Sequence, residues 1–151
     1  MKKVISILLT LTITILLLTS CTGKISINDS KYYTDFDGVY ITIDAVEVEG
    51  NKQKLATTWH NETEYPVVFG YAYDIQYSVN GEWERVIKKD FGIIEIACVI
   101  DPKGTADMTY NTEYFDLSRA GTYRLIVDFY VQTGSELNNH GNTYAEFAVI
   151  K

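Results

Sequence analysis

The side chains best suited to chemistry in this sequence are the thiols of Cys21 and Cys98 and the imidazoles of His60 and His140. A nucleophilic site needs a base held by an orienting group beside a nucleophile. No Ser or Cys stands at a useful spacing from either histidine. His140 lies in Asn138-Asn139-His140-Gly141-Asn142, which reads as flexible polar loop. Cys98 sits in the apolar run Ile94–Ile100 and reads as a small buried hydrophobe. Asp35, Asp37 and Asp44 could offer oxygens to Ca²⁺. A calcium loop also needs a third acid, a Gly at its sixth position and a distant Glu. Asp35-Phe36-Asp37-Gly38 has only the beginning, so these acids read as solvated. No catalytic residue, metal or cofactor is assigned, and the chain is not expected to be an enzyme.

Cys21 is a different case, because of what precedes it. Lys2 and Lys3 form a short positive region, and Val4 to Leu18 follows without a charge. That run is short for a membrane-spanning helix, which needs roughly 20 apolar residues, and suits a secretory signal. Leu18-Thr19-Ser20-Cys21 then resembles the cleavage site of bacterial lipoproteins. The resemblance implies a signal helix over residues 1–20, a cut between Ser20 and Cys21, and a lipid joined to the Cys21 thiol. Each buried CH₂ adds about 0.8 kcal/mol, so two or three acyl chains make a stable anchor. The expected location is extracytoplasmic, on the cell membrane.

The chain has 151 residues, with 13 basic and 20 acidic side chains. Without Lys2 and Lys3, 11 basic residues face 20 acidic ones, a net charge of −9. Such a domain does not seek nucleic acid or anionic headgroups by electrostatics. With Cys21 lipidated, Cys98 has no partner for a disulfide within the chain. Residues 21–38 read as a lipidated N-terminus and tether, polar and aperiodic, that lifts a folded head off the bilayer.

From residue 39 to 151 the period is two. Val39, Ile41 and Ile43 alternate with polar neighbours, as do Leu55, Thr57 and Trp59. Phe69, Tyr71, Tyr73, Ile75, Tyr77 and Val79 share one parity and read as core. Asn80-Gly81 predicts a type I′ hairpin returning through Trp83 to Ile87. Short strands are expected over Ile93–Ile100 and Thr105–Asn111, either side of the Asp101–Gly104 turn. A corner follows over Phe115–Gly121. Tyr123 to Val131 and Tyr144 to Ile150 complete an all-β sandwich of about seven to eight antiparallel strands.

Four pieces in order carry a further resemblance. They are Lys54-Leu55-Ala56-Thr57-Thr58-Trp59-His60-Asn61 with Thr63, Asn80-Gly81-Glu82-Trp83, Pro102-Lys103-Gly104-Thr105, and Gly121-Thr122-Tyr123-Arg124-Leu125. Over residues 39 to 131 the chain resembles the bacterial immunoglobulin-like domain of small lipoproteins and other extracytoplasmic proteins of Gram-positive bacteria. Gly121-x-Tyr123 also resembles the tyrosine corner of such sandwiches, although the cysteine pair of antibody domains is missing. The resemblance implies a fold and a location; the family has no common activity to carry over.

The expected function is a non-catalytic binding or accessory module for an envelope protein or wall glycan. The alternative is an Ig-like proteinase inhibitor that presents a loop to a protease. Loops carry function on rigid scaffolds, so the candidate contact segments are Asn61–Pro66, Lys88–Gly92 and Gly134–Asn142. Asn61, Tyr65, Asn139 and His140 are the candidate binding residues, with Tyr32, Tyr33 and Tyr114 as further exposed aromatics.

Overall fold

The computed structural model describes residues 23–27, 30–89, 92 and 96–151. The expected leader, with Ser20 and Cys21, lies outside them. The alternation read in the sequence builds two antiparallel sheets. The smaller has the order β3 (Val39–Glu49), β4 (Lys52–Asn61), β8 (Thr105–Asn111). The larger runs β1 (Lys24–Ser26), β10 (Glu136–Ile150), β9 (Gly121–Thr133), β5 (Val67–Val79), β6 (Glu82–Arg85). Two short strands complete it: β2 (Tyr32–Thr34) also pairs with β10, and β7 (Ala97–Ile100) also pairs with β5.

The inward parity of each sheet meets the other in one core. Trp59 is fully buried; its ring stacks on Phe69 at 4.3 Å and meets Phe129 edge-on at 6.1 Å. A buried indole N–H needs an acceptor, and the Tyr110 hydroxyl provides it at 3.0 Å. Ile41, Leu55, Ile75, Leu125 and Phe147 fill the remaining space. Thr143 is buried too, and its hydroxyl oxygen accepts from the Ile41 amide at 3.1 Å, which links the two sheets. Asn80 and Gly81 both have positive φ, as the type I′ turn requires.

Three expectations need correction. The first concerns the tether over residues 21–38. Its described part is built into the large sheet: Ile25 is buried, and β1 and β2 lie one after the other along β10. Three-residue strands are too short to reveal a period.

The second concerns the Gly134–Asn142 loop. Gly134 and Ser135 form the turn, and β10 begins at Glu136. A bulge at Asn139, with φ of 57°, shifts the β9–β10 register by one residue, and the pairing continues on both sides of it. Gly141 faces inward, where a Cβ would stand 2.7 Å from the Phe129 ring. The phenyl ring occupies the space a side chain would have filled, so the strand lacks its apolar marker.

The third is Tyr71. The β5–β9 register shifts by two residues between Phe69 and Tyr73, and Tyr71 is left exposed in the irregularity. Its stripe neighbours Phe69 and Ile75 are buried as expected.

Candidate ligand-binding face

Residues opposite each other in a ladder share a face. On the outer face of the large sheet this gathers Gln76, Trp83, Arg85, Arg124, Asp128 and Tyr144 from β5, β6, β9 and β10. Arg124 is the centre. Its guanidinium lies 4.4 Å from the Trp83 ring centroid and 4.5 Å from that of Tyr144. Both its Nε and a terminal nitrogen donate to Gln76 Oε1, at 2.8 and 2.6 Å. Each ring contact contributes about 0.5–2 kcal/mol according to its desolvation. The Tyr144 hydroxyl donates to Asp35, which also accepts from the Asn142 amide. Desolvation and the nearby Asp35 carboxylate raise the Tyr144 pKa, so this phenol is a neutral donor.

Beside this clamp lies a shallow groove of about 410 Å³, bordered by Asp74, Arg85, Asp128 and Asn142. Arg85 Nε and Asp74 form an ion pair at 2.6 Å. Arg85 is largely exposed, so the pair contributes little to stability. The groove therefore holds both donors and acceptors.

The sequence-derived candidates fall elsewhere, and not together. Asn61 is 1 % exposed. Its Nδ2 donates to the carbonyls of Tyr65, Ile100 and Asp101, and its Oδ1 accepts from the Thr63 amide and hydroxyl. It staples the β4–β5 loop to the β7–β8 turn and is not a contact residue, because every polar position it has is already used. Tyr65 is exposed at the tip of that loop. Asn139 and His140 are exposed on β10, and the His140 ring lies 5.0 Å from Tyr130.

His60 is stacked on Tyr40, which stacks in turn on Tyr32, with 4.5 Å between centroids in both pairs. Donation to Glu62 raises the Tyr40 pKa. Tyr32 and Tyr33 are exposed as expected, whereas Tyr114 is half-buried against the core. In the Lys88–Gly92 segment, Lys88 bridges to Phe115 and donates to the Tyr73 carbonyl; residues 90 and 91 lie outside the described residues. Cys98 is partly buried against the core.

The clamp itself was not legible in advance. In the sequence Gln76, Trp83 and Arg124 stand on separate strands, with nothing in their spacing that brings them together. The one available signal is that an Arg, a Trp and a Tyr all occupy outward positions on neighbouring strands.

At the corner before β9, the Tyr123 hydroxyl donates to the Arg119 carbonyl at 2.8 Å. This is the bond that defines a tyrosine corner. Residues 35–147 match the family model of a bacterial Ig-like domain. The chain belongs to that family. The match extends beyond residues 39–131 at both ends, taking in most of β10. Among curated proteins none matches the chain in sequence. Ig-like domains are scaffolds that present surfaces, typically without catalysis. In this Ig-like domain the β4–β5 loop and the β9–β10 hairpin turn share one end, as the Gln132 amide bond to the Pro66 carbonyl records.

Proposed function

We propose that this protein is a lipid-anchored, extracytoplasmic binding module for an envelope protein or wall glycan, and that its ligand face is the outer surface of the large sheet. The leader and the Leu18-Thr19-Ser20-Cys21 sequence support the location. The single observation that carries the binding role is the fixed Arg124 guanidinium beside an open groove. Ordering a long side chain costs about 1.5–2 kcal/mol of rotamer entropy. Here that cost falls on folding and not on binding, which is how preorganised sites gain affinity. Asp74, Asp128, Arg85 and Asn142 place acceptors and donors beside the Tyr144 ring, a combination that suits the hydroxyls and apolar face of a sugar. Wall glycan is therefore the ligand to test first.

Residues 23–151, prepared without lipid, are immobilised and exposed to purified wall-glycan fragments and to envelope extract. Retention of a discrete glycan or protein, lost in Arg124→Ala and Asp128→Asn variants that melt like the parent, is the expected result. Equal retention by all three chains, or none by a folded parent, refutes the reading.

One observation favours the inhibitor as a second reading. The Asn61–Pro66 loop is rigid, held by Asn61 and by Lys103, whose Nζ donates to the Glu62 carbonyl at 2.6 Å and pairs with Glu64 at 2.8 Å. It presents Tyr65 outward. Slow, single cleavage within this loop with retained inhibition would support this reading; rapid nicking without inhibition would remove it.

A further inference from the structure

The sandwich receives its N-terminus at a fixed point. Gly23 is buried, and a Cβ there would stand 2.3 Å from Val149 Cγ1 and 3.2 Å from the Leu117 carbonyl. The Gly23 carbonyl accepts from Gln53 Nε2 at 2.9 Å, and the Ile25 amide donates to Gln53 Oε1 at 2.8 Å. Lys24 to Ser26 then pair with Ile150 to Ala148. Cys21 precedes this anchored glycine by two residues. At a maximum of about 3.6 Å per residue, its Cα stays within about 7 Å of that of Gly23.

The Gly23 end also carries the Gly50-Asn51 turn, the 112–121 corner and the C-terminus. The Asn61–Pro66 loop and the Gly134-Ser135 turn lie at the other end. Near Gly23 runs a crevice of about 610 Å³, bordered by Gln53, Ile87, Lys89 and Leu117. Three large apolar side chains stand exposed at this end: Ile87 at 77 %, Val48 at 68 % and Ile150 at 48 %. Lys24, Lys52, Lys89, Arg119 and Lys151 accompany them, all exposed, and so do the acids Glu47, Glu49 and Asp116.

We infer that the Gly23 end of the sandwich rests directly on the lipid bilayer, so that the domain stands upright with its β4–β5 loop facing away from the membrane. The inference rests on the lipid-anchor reading of Cys21. A lipid on that residue cannot hold the domain at a distance, because no free linker remains between it and β1. Apolar side chains of an interfacial surface sink about 5–10 Å into the headgroup region, which gives Ile87, Val48 and Ile150 an environment that water does not. The cations of this end are offset by the acids beside them, so the lipid and the apolar side chains, and not net charge, favour the contact. The 13 residues of β9, at about 3.3 Å each, set Tyr65 roughly 40 Å above the headgroups.

The test uses the full-length protein, processed and lipidated in a bacterial host and reconstituted into vesicles of phosphatidylglycerol and phosphatidylethanolamine. With Cys98→Ala in place and Cys21 blocked by lipid, a single cysteine at Ile87→Cys or Tyr65→Cys carries a fluorophore. Lipids spin-labelled at the headgroup serve as quencher. The Ile87 label is expected to lose most of its emission and the Tyr65 label to keep its own. A flexible Gly/Ser insertion after Thr22 should restore emission at Ile87. Equal quenching at both positions, or none at either in protein whose mass includes the lipid, overturns the upright placement while leaving the anchor intact. A mass without lipid on Cys21 overturns the anchor and the placement together.

Discussion

The indole N–H of Trp59 on β4 donates to the hydroxyl of Tyr110 on β8, 51 residues away in sequence and wholly inside the core. This bond lets the largest side chain of the sandwich be buried without an orphaned donor. Tyr110→Phe keeps the ring and removes the acceptor. It should cost about 1–3 kcal/mol, the penalty of an unsatisfied buried donor. Urea unfolding checks this as a lower midpoint with an unchanged slope.

Alkaline pH acts on the same residue. Burial raises the pKa of both Tyr110 and Tyr73 above the ordinary 10.0. In the unfolded chain both phenols ionise near 10, so above that pH the unfolded state gives up protons that the folded state retains. Their contribution to stability is complete below about pH 10 and falls as pH rises past it. Thermal melts between pH 8 and 11 should show the decline. Tyr73→Phe should flatten it, and an unchanged slope would dismiss the cause.

Asn61 and Tyr65 separate stability from recognition within one loop. Asn61→Ala leaves the carbonyls of Ile100 and Asp101 without this donor and should destabilise by about 2–3 kcal/mol. Tyr65→Ala, at an exposed tip, should fall within about 0.5 kcal/mol of the parent. Calorimetry on the two variants distinguishes a staple from a contact residue.

The tyrosine corner offers a smaller effect. Tyr123→Phe removes only the bond to the Arg119 carbonyl. A loss of about 1 kcal/mol is expected, the net value of one hydrogen bond. Hydrogen exchange should locate the change in the 115–121 corner and not in β9.

How much of this the sequence carries depends on where side chains, and not the backbone, do the specifying. Val39 to Ile43 and Tyr123 to Val131 alternate because each inward residue must be apolar to enter the core, so those strands are legible. The early part of β10 is illegible because its inward row includes Gly141 and Thr143, which receive the Phe129 ring and a backbone amide in place of an apolar neighbour. β1 and β2 are defined by pairing with a strand more than 100 residues away. The Arg124 clamp has the same origin: Gln76, Trp83 and Tyr144 meet it only through the order of strands.

β1 and β2 have one more consequence. Together they occupy the side of β10 that faces away from β9. A chain trimmed to residues 35–147, where the family resemblance starts and stops, would lack both. The outermost strand would then expose a row of unpaired amides and carbonyls, an open template for strand addition. Such a fragment should self-associate through that border, and its oligomers would be products of the trimming and not of the protein. The N-terminal segment is thus this domain's guard against aggregation.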